Sequence, residues 1–378
     1  MTGSTLPNEI QDDTLLRLPV SVLTGFLGSG KTTLLAHLIC QPEMARTACI
    51  INEFGDVGLD HLIVARGTED AAAPGTAPDT VVLESGCICC TVRSDLVDTL
   101  CSLFMRRLRG EIPEFDRVVI ETTGLADPAP ILHTLMSNAL IAARYRLDGV
   151  IATVDAVFGV GQLSQHPESV KQVAVADRLV VTKGDLVRPD ATTELIKRLR
   201  LLNPAASIIV AAHGVIAHSA LFDAGLYNPA TKAPEVGRWL NEAAYHDKHV
   251  HVHEHGPGCG HDEHNQSRHN LEITSFCLIV DEPMPWLRFL NFVDDLTSAY
   301  GERVLRLKGL LNISESPIPL VVHGVQHMFH PVVPLECWPG EDHRSKLVLI
   351  TRNLERKVVE ELLHTHLSAP EPWVPPEE

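Results

Sequence analysis

The stretch "GFLGSGKT", residues 25–32, decides the fold. It satisfies G-x-x-x-x-G-K-[ST] at every fixed position. The apolar run "VSVLTGF" (20–26) leads into it and the helix-periodic "KTTLLAHLI" (31–39) leads out, which is the context this motif requires. Gly25, Gly28 and Gly30 allow the backbone to curl until its N–H groups face phosphate oxygens, and the helix N-terminus adds its dipole. Lys31 is expected to neutralise β- and γ-phosphate charge, and the Thr32 hydroxyl to bind Mg²⁺. Ser29 and Thr33 complete the nucleotide contacts expected of the loop. A chance Gly-rich turn would lack the strand before it and the helix after it.

Outward from this loop, six more short runs share the character of the first: "ACIINEF" (48–54), "TVVLES" (80–85), "RVVIETT" (117–123), "GVIATVDA" (149–156), "RLVVTKGD" (178–185) and "SIIVAA" (207–212). All are Val/Ile-rich and apolar on both parities, as strands covered on both faces are. Helix-periodic segments such as "SDLVDTLCSLFMRRL" separate them. The fold class is therefore α/β: a P-loop, mostly parallel sheet with flanking helices. After residue 270 the pattern changes. "LEITSFCLIV", "RVLRLKGLLNI", "PLVVHGVQHMF" and "SKLVLITR" read as strands, and "PWLRFLNFVDDLTSAY" and "LERKVVEELLHTHL" as helices, giving a small α+β domain. The expected organisation is a tail (1–18), the nucleotide domain (19–222), a His-rich linker (223–270), the α+β domain (271–368) and a second tail (369–378).

Composition restricts the function. A net charge of −17 argues against nucleic-acid or anionic-membrane partners, which select basic surfaces. The N-terminus has no apolar core of a signal peptide, and no apolar run is long enough to span a bilayer, so a cytoplasmic location is expected. A reducing cytosol disfavours disulfides. Nine cysteines, an odd number with three crowded together, point instead to metal or redox chemistry.

Two further segments fit a nucleotide site. "VVIETTG" (118–124) is an apolar run ending in an acid: Glu121 is placed near Mg²⁺ or its water shell, and Gly124 near the γ-phosphate. "VVTKGD" ends a strand with Thr182, Lys183 and Asp185. A carboxylate there can accept from guanine N1–H and the 2-amino group, which adenine cannot match, and the Lys183 stem can cover the base. "HGVIAHSAL" (213–221) is placed to offer backbone contacts to the base.

The crowded cysteines lie in "ESGCICC" (84–90). Cys87, Cys89 and Cys90 can converge on a soft or borderline cation if the backbone turns. Zn²⁺ or Co²⁺ suits such thiolates, with a carboxylate, backbone group or water as the fourth ligand. Core packing and a redox pair are the competing readings. For the isolated Cys40, Cys49, Cys101, Cys277 and Cys337, core packing is the default. Residues 246–270 hold eight of the twenty histidines. His249, His251, His253, His255, Cys259, His261 and His264 form either a weak metal-acquisition arm or an ordinary polar linker.

Taken in order, "GFLGSGKTT", "NEFGDVGLD", "ESGCICC", "ETTGLADP", "TKGD" and "RLKG" resemble the CobW-type family of metal-trafficking GTPases, over roughly residues 18–365. That family comprises zinc chaperones, cobalamin-pathway proteins and nitrile hydratase activators. The resemblance implies a SIMIBI-type GTPase domain with GTP and Mg²⁺, and a divalent metal at Cys87, Cys89 and Cys90, zinc first and cobalt second. It also implies delivery of that metal to a client metalloprotein, with GTP hydrolysis as the switch. Lys31 and Thr32 match its nucleotide residues, and Glu53 lies in its switch segment beside Asn52 and Asp56. Lys31, Thr32, Glu53 and Glu121 are thus the expected catalytic set. One departure is Thr182, where the family usually has Asn; the shorter hydroxyl predicts weaker hold on the base. Arg306, Lys308 and Gly309 are expected either to face the nucleotide domain or a client, or simply to be solvated. Alternatives are a metal-storage protein with a regulatory nucleotide site, an activator inserting cobalt or iron into a nitrile hydratase-like enzyme, and a phosphoryl-transfer kinase. A homodimer is left open.

Overall fold

All seven apolar runs of the first domain form strands in the computed structural model, which describes residues 17–51, 81–84, 92–211, 215–222, 273–329 and 332–368. They are β1 (Leu18–Gly25), β2 (Thr47–Ile51), β3 (Val81–Glu84), β4 (Arg117–Glu121), β5 (Tyr145–Asp155), β6 (Arg178–Thr182) and β7 (Ser207–Val210). Their order is β3-β2-β4-β1-β5-β6-β7, with every pairing parallel. Strand β1 is central. The order reverses on either side of it, so the loops after β1, β4, β5 and β6 open on one crevice, where ligands of such sheets bind.

The helices are α1 (Lys31–Ile39), α2 (Val92–Leu108), α3 (Ala129–Ser137), α4 (Ala139–Ala142), α5 (Gly159–Gln165), α6 (Pro167–Val175) and α7 (Pro189–Leu202). Strand parity assigns them to the two faces. Val118 and Ile120 pack with Leu96, Leu100 and Leu103 of α2, whose spacing makes one helical stripe. Val119, between them, packs on the other face with Leu34, Leu35 and Leu38 of α1. Strand β6 has no polar alternation because both its faces are covered: Leu179 and Val181 meet α5 to α7, and Val180 meets α1.

The second sheet holds β8 (Ile273–Val280), β9 (Val304–Leu311), β10 (Leu320–Val325), β11 (Met328–Phe329), β12 (Val333–Pro334) and β13 (Ser345–Arg352), with α8 (Trp286–Tyr300) and α9 (Arg356–Ser368) on one face. All its pairings are antiparallel. "PLVVHGVQHMF", expected as one strand, is instead a hairpin. Val325 pairs with Met328, and the two-residue turn requires the left-handed backbone that Gln326 adopts at φ 55°. Of the isolated cysteines, Cys49 and Cys277 are buried and Cys40 and Cys101 partly so, but Cys337 is exposed, contrary to the core expectation. It falls in the loop between β12 and β13, where Leu335 and Trp338, not Cys337, pack against the sheet. Among the described residues, no helix is long and apolar enough to cross a membrane.

The face of β9 away from α8 and α9 meets the first domain. Arg306 and Lys308, two apart and so on one side of the strand, both reach Asp177, which immediately precedes β6 and whose side chain is only 9% exposed. Lys308 Nζ is 3.2 Å from the carboxylate and Arg306 is closer; Arg306 also donates to the Val175 carbonyl at the end of α6. The reading of Arg306 and Lys308 as solvated strand residues is thereby overturned: they turn inward because Asp177 is the counter-charge. Burial alone would raise the Asp177 pKa. The Arg306 and Lys308 charges and the Val150 N–H outweigh it and hold the carboxyl down to about 2. Burial, with repulsion from Arg306, pushes the Lys308 ammonium down to about 7 against the pull of Asp177.

Removing the one anion from a buried cluster strands two cations, so Asp177→Asn is expected to cost about 3 kcal/mol or more in urea unfolding. The pH dependence has a defined sign. Below pH 7 Lys308 is protonated folded and unfolded; from about 7 to its ordinary value of 10.5, only the unfolded chain holds the proton. Stability should therefore rise with pH above 7, by up to about 1.4 kcal/mol per unit, and Lys308→Met should flatten that rise.

Candidate functional site

The loop between β1 and α1 is shaped by three glycines at positive φ: Gly25 (143°), Gly28 (70°) and Gly30 (87°). At Gly25 space is the further limit, since a Cβ there would lie 2.3 Å from Thr153 Oγ1. The conformation turns the loop's carbonyls backward, and each one described below is caught. Lys31 Nζ donates to Gly25 O (3.0 Å) and Phe26 O (3.3 Å). Lys183 Nζ donates to Gly28 O (2.7 Å), Thr182 Oγ1 to Ser29 O (2.8 Å), and Leu34 N to Gly30 O (2.9 Å). A trans peptide points its N–H opposite its C=O. Ser29 N closes the turn onto Phe26 O at 3.1 Å; the N–H groups opposite the other held carbonyls turn to the front, as in an anion nest at a helix N-terminus.

Buried groups hold the supports in turn. Asp155, at the end of β5 and 1% exposed, pairs with Lys183 at 2.7 Å and accepts from Val157 N at 2.7 Å. Ser29 Oγ is paired with Thr153 Oγ1 at 2.6 Å inside the protein, so a nucleotide contact by Ser29 would fall to its backbone. Lys183 takes a left-handed backbone (φ 57°), which brings its ammonium back over the loop. Thr182 and Lys183, read in the sequence as base-recognition residues, thus brace the phosphate loop. Asp185 is exposed on the short helical turn Gly184–Leu186 at the mouth of the crevice, and Thr33 is exposed on α1.

On β4, buried Glu121 accepts from Thr32 Oγ1 at 2.6 Å. A hydroxyl and a carboxylate this close are hard oxygen donors of the type Mg²⁺ prefers, alongside water and phosphate oxygens. The loop that follows is wedged against the first one, since a Cβ on Gly124 would come within 2.7 Å of Leu27 Cα. Burial, with the nearby Glu121 charge, pushes the Cys49 thiol up to about 12; that cysteine is inert packing. Residues 216–218 are tied to the end of α1 by Gln41, which donates to Ile216 O (2.6 Å) and accepts from His218 N (3.0 Å).

The structure therefore assembles Lys31, Thr32, Glu121, Gly124, Thr182, Lys183 and Asp185 at one end of the sheet. Glu53, Cys87, Cys89, Cys90, His249, His251, His253, His255, Cys259, His261 and His264 lie outside the described residues. Among the described residues no three His, Cys, Asp or Glu side chains gather as a metal site. Thr153 and Asp155 were not singled out from sequence. The signal was present, an acid closing the run "GVIATVDA" at the strand end nearest the phosphate loop.

Two family models match: the nucleotide-binding domain of CobW/HypB/UreG over residues 19–210, and the cobalamin synthesis protein CobW C-terminal domain over 273–367. The chain belongs to the CobW/HypB/UreG family. Its similarity to individual members runs nearly end to end. The zinc chaperone YjiA of Escherichia coli is 34% identical over 333 residues, covering 88% of this chain and 93% of that protein. The zinc-regulated GTPase metalloprotein activator 1 of Schizosaccharomyces pombe is 28% identical over 365 residues, covering 91% and 85%. Among solved structures, Zn(II)-bound YjiA GTPase from E. coli is 28% identical, covers 93% of this chain and 99% of its own, and superposes with a TM-score of 0.64. In this CobW-type chain the Thr182 hydroxyl takes the loop-bracing bond, so Thr182→Val, equal in shape but lacking the donor, should weaken binding of a fluorescent GDP analogue about tenfold. Gly25→Ala, with no space for its methyl group, should abolish binding in the same titration.

Proposed function

We propose that this protein is a GTP-hydrolysing metallochaperone, binding a divalent metal at Cys87, Cys89 and Cys90 and passing it to a client protein. The observation that carries the reading is the register of the sheet. Glu84, the last residue of β3, pairs with Ile51, which pairs with Glu121 on β4. Two strand spacings of about 4.8 Å separate Glu84 from the Glu121–Thr32 pair. In a parallel sheet the chain leaves β3 at the same end as the phosphate loop, and Cys87 follows Glu84 by three residues in sequence. That short tether to the strand end supports a metal site coupled to the nucleotide.

GTP is the substrate of the site. The row of N–H donors and Lys31 bind its phosphates. Thr32 and Glu121 would hold Mg²⁺, which supplies charge neutralisation on the β- and γ-phosphates. Asp185 at the mouth accepts from guanine N1–H and the 2-amino group. Closure of the segment holding Asn52, Glu53 and Asp56 on the γ-phosphate, and its relaxation after hydrolysis, would change the surroundings of the cysteines and hence their grip on zinc. Thiolate ligands must lose protons, so zinc affinity should fall as pH falls. The relatives named as zinc chaperones and metalloprotein activators support zinc as the cargo, with cobalt second. A client would meet an apolar rim: Leu27, Leu125, Phe158 and Leu186 are 52%, 55%, 63% and 68% exposed, on the loops after β1, β4, β5 and β6. The histidines of residues 246–264 are proposed as a weaker acquisition arm.

Lys31→Ala is expected to abolish phosphate release while sparing zinc content in the absence of nucleotide. The triple variant Cys87→Ser, Cys89→Ser, Cys90→Ser should lose the tighter zinc site in chelator competition and keep GDP binding. Equal zinc affinity in the presence of GDP and of a non-hydrolysable GTP analogue would sink the switch.

A further inference from the structure

Helix α6 links the phosphate loop, the loop after β4 and the second domain. At its head, the His166 ring stacks on Phe26 of the phosphate loop, centroids 4.5 Å apart. At its tail, the Val175 carbonyl receives Arg306 from the second domain. Between them lies Gln172, 1% exposed, whose Nε2 donates to Gly124 O at 3.1 Å and Ala126 O at 3.0 Å. One residue earlier, Lys171 pairs with Asp127 at 2.6 Å, and Asp127 Oδ1 accepts from Ala129 N at 3.0 Å to start α3. The turn residue Gln326 of the second domain reaches the same carboxylate at 3.5 Å.

Loop 122–127 therefore has a front and a back. Gly124 is pressed against Leu27 of the phosphate loop, and its carbonyl is drawn back onto α6. Peptide planarity then fixes the Leu125 N–H, which must point away from α6, and the Ala126 carbonyl fixes the Asp127 N–H likewise. A buried amide with two carbonyl partners is costly to disturb, so this orientation is rigid.

We propose that Gln172 is a positioning residue for GTP hydrolysis. It does not touch nucleotide. It holds the Gly124 and Ala126 peptides so that the loop after Glu121 presents its N–H groups where the terminal phosphate and the attacking water lie. This rests on the GTPase reading of the site. The phosphate-loop nest that binds the α- and β-phosphates does not pass through Gln172, so binding and turnover separate.

The test is steady-state GTP hydrolysis by the full chain with Gln172→Met, which keeps the volume and removes the donors, and Gln172→Asn, which keeps the amide but shortens its reach. Expected is a fall in kcat of about tenfold or more, with KM for GTP and affinity for a fluorescent GDP analogue within about twofold of the parent. A folded Gln172→Met protein with unchanged kcat overturns the proposal. So does a parallel loss of kcat and GDP affinity, which would mark general damage to the fold. If Gln172→Met does not fold, Gln172→Asn is judged by the same criteria. Absence of turnover in the parent protein itself would strike at the GTPase reading and not at Gln172, because the parent retains the brace.

Discussion

The constraint on which this structure turns is that peptide N–H groups of the phosphate loop must face outward to receive phosphate. Backbone carbonyls left in front would repel the ligand, so they must be turned back and bonded from behind. Every support described follows from that need. Lys31 and Lys183 supply cations for carbonyls, Thr182 a hydroxyl, and α1 the Leu34 N–H. Asp155 then balances the Lys183 charge, and Thr153 occupies the Ser29 hydroxyl. Three glycines at positive φ are the conformational requirement of the same geometry.

Much of this was legible in the sequence, and for definite reasons. The phosphate loop has a fixed spacing because the number of peptides needed to encircle a phosphate is fixed. Strands β1, β2, β4, β5 and β6 were legible because burial on both faces removes polar alternation, and the edge strand β7 because it keeps the same Val/Ile-rich run although it is half-exposed. What the sequence hid were pairings between distant elements. "RLKG" places Arg306 and Lys308 on one side of a strand, but nothing local says that Asp177, more than a hundred residues earlier, waits opposite. Thr182 looked like a base contact because its motif position is tied to the base, while its hydroxyl bond to Ser29 O appears only once β6 lies beside the loop. Gln172 carried no signal at all, being one amide on an amphipathic helix. The hairpin at Gln326 was missed because Gln is not a residue that announces a left-handed turn.

The two domains meet through charged groups and apolar ones together. Leu305 and Ile350 pack on Ala174 beside the Asp177 cluster, while Val325 and Met328 of the hairpin join the core formed with α3. A buried cluster of two cations and one anion is a poor source of stability compared with apolar packing of equal volume. Its value is orientation: Arg306 can satisfy Asp177 and the Val175 carbonyl at once only if β9 crosses the end of α6 at one angle. Stability is carried by the apolar contacts and registry by the ions.

That division of labour bears on how nucleotide state can reach a metal. The central strands β1, β4, β5 and β6 are almost wholly buried, so information is expected to travel in the loop layer above them or in the helices beside them. The loop layer runs from the phosphate loop through Gly124 on one side and, by strand order, through the ends of β4 and β2 to the end of β3 on the other. The helical route runs along α6 from Phe26 to Arg306. On the reading proposed above, a γ-phosphate that draws on the loop after Glu121 would pull on both Leu27 and Gln172, because Gly124 is held between them. A metal released on one side and a surface rearranged on the other would be two consequences of a single lost phosphate.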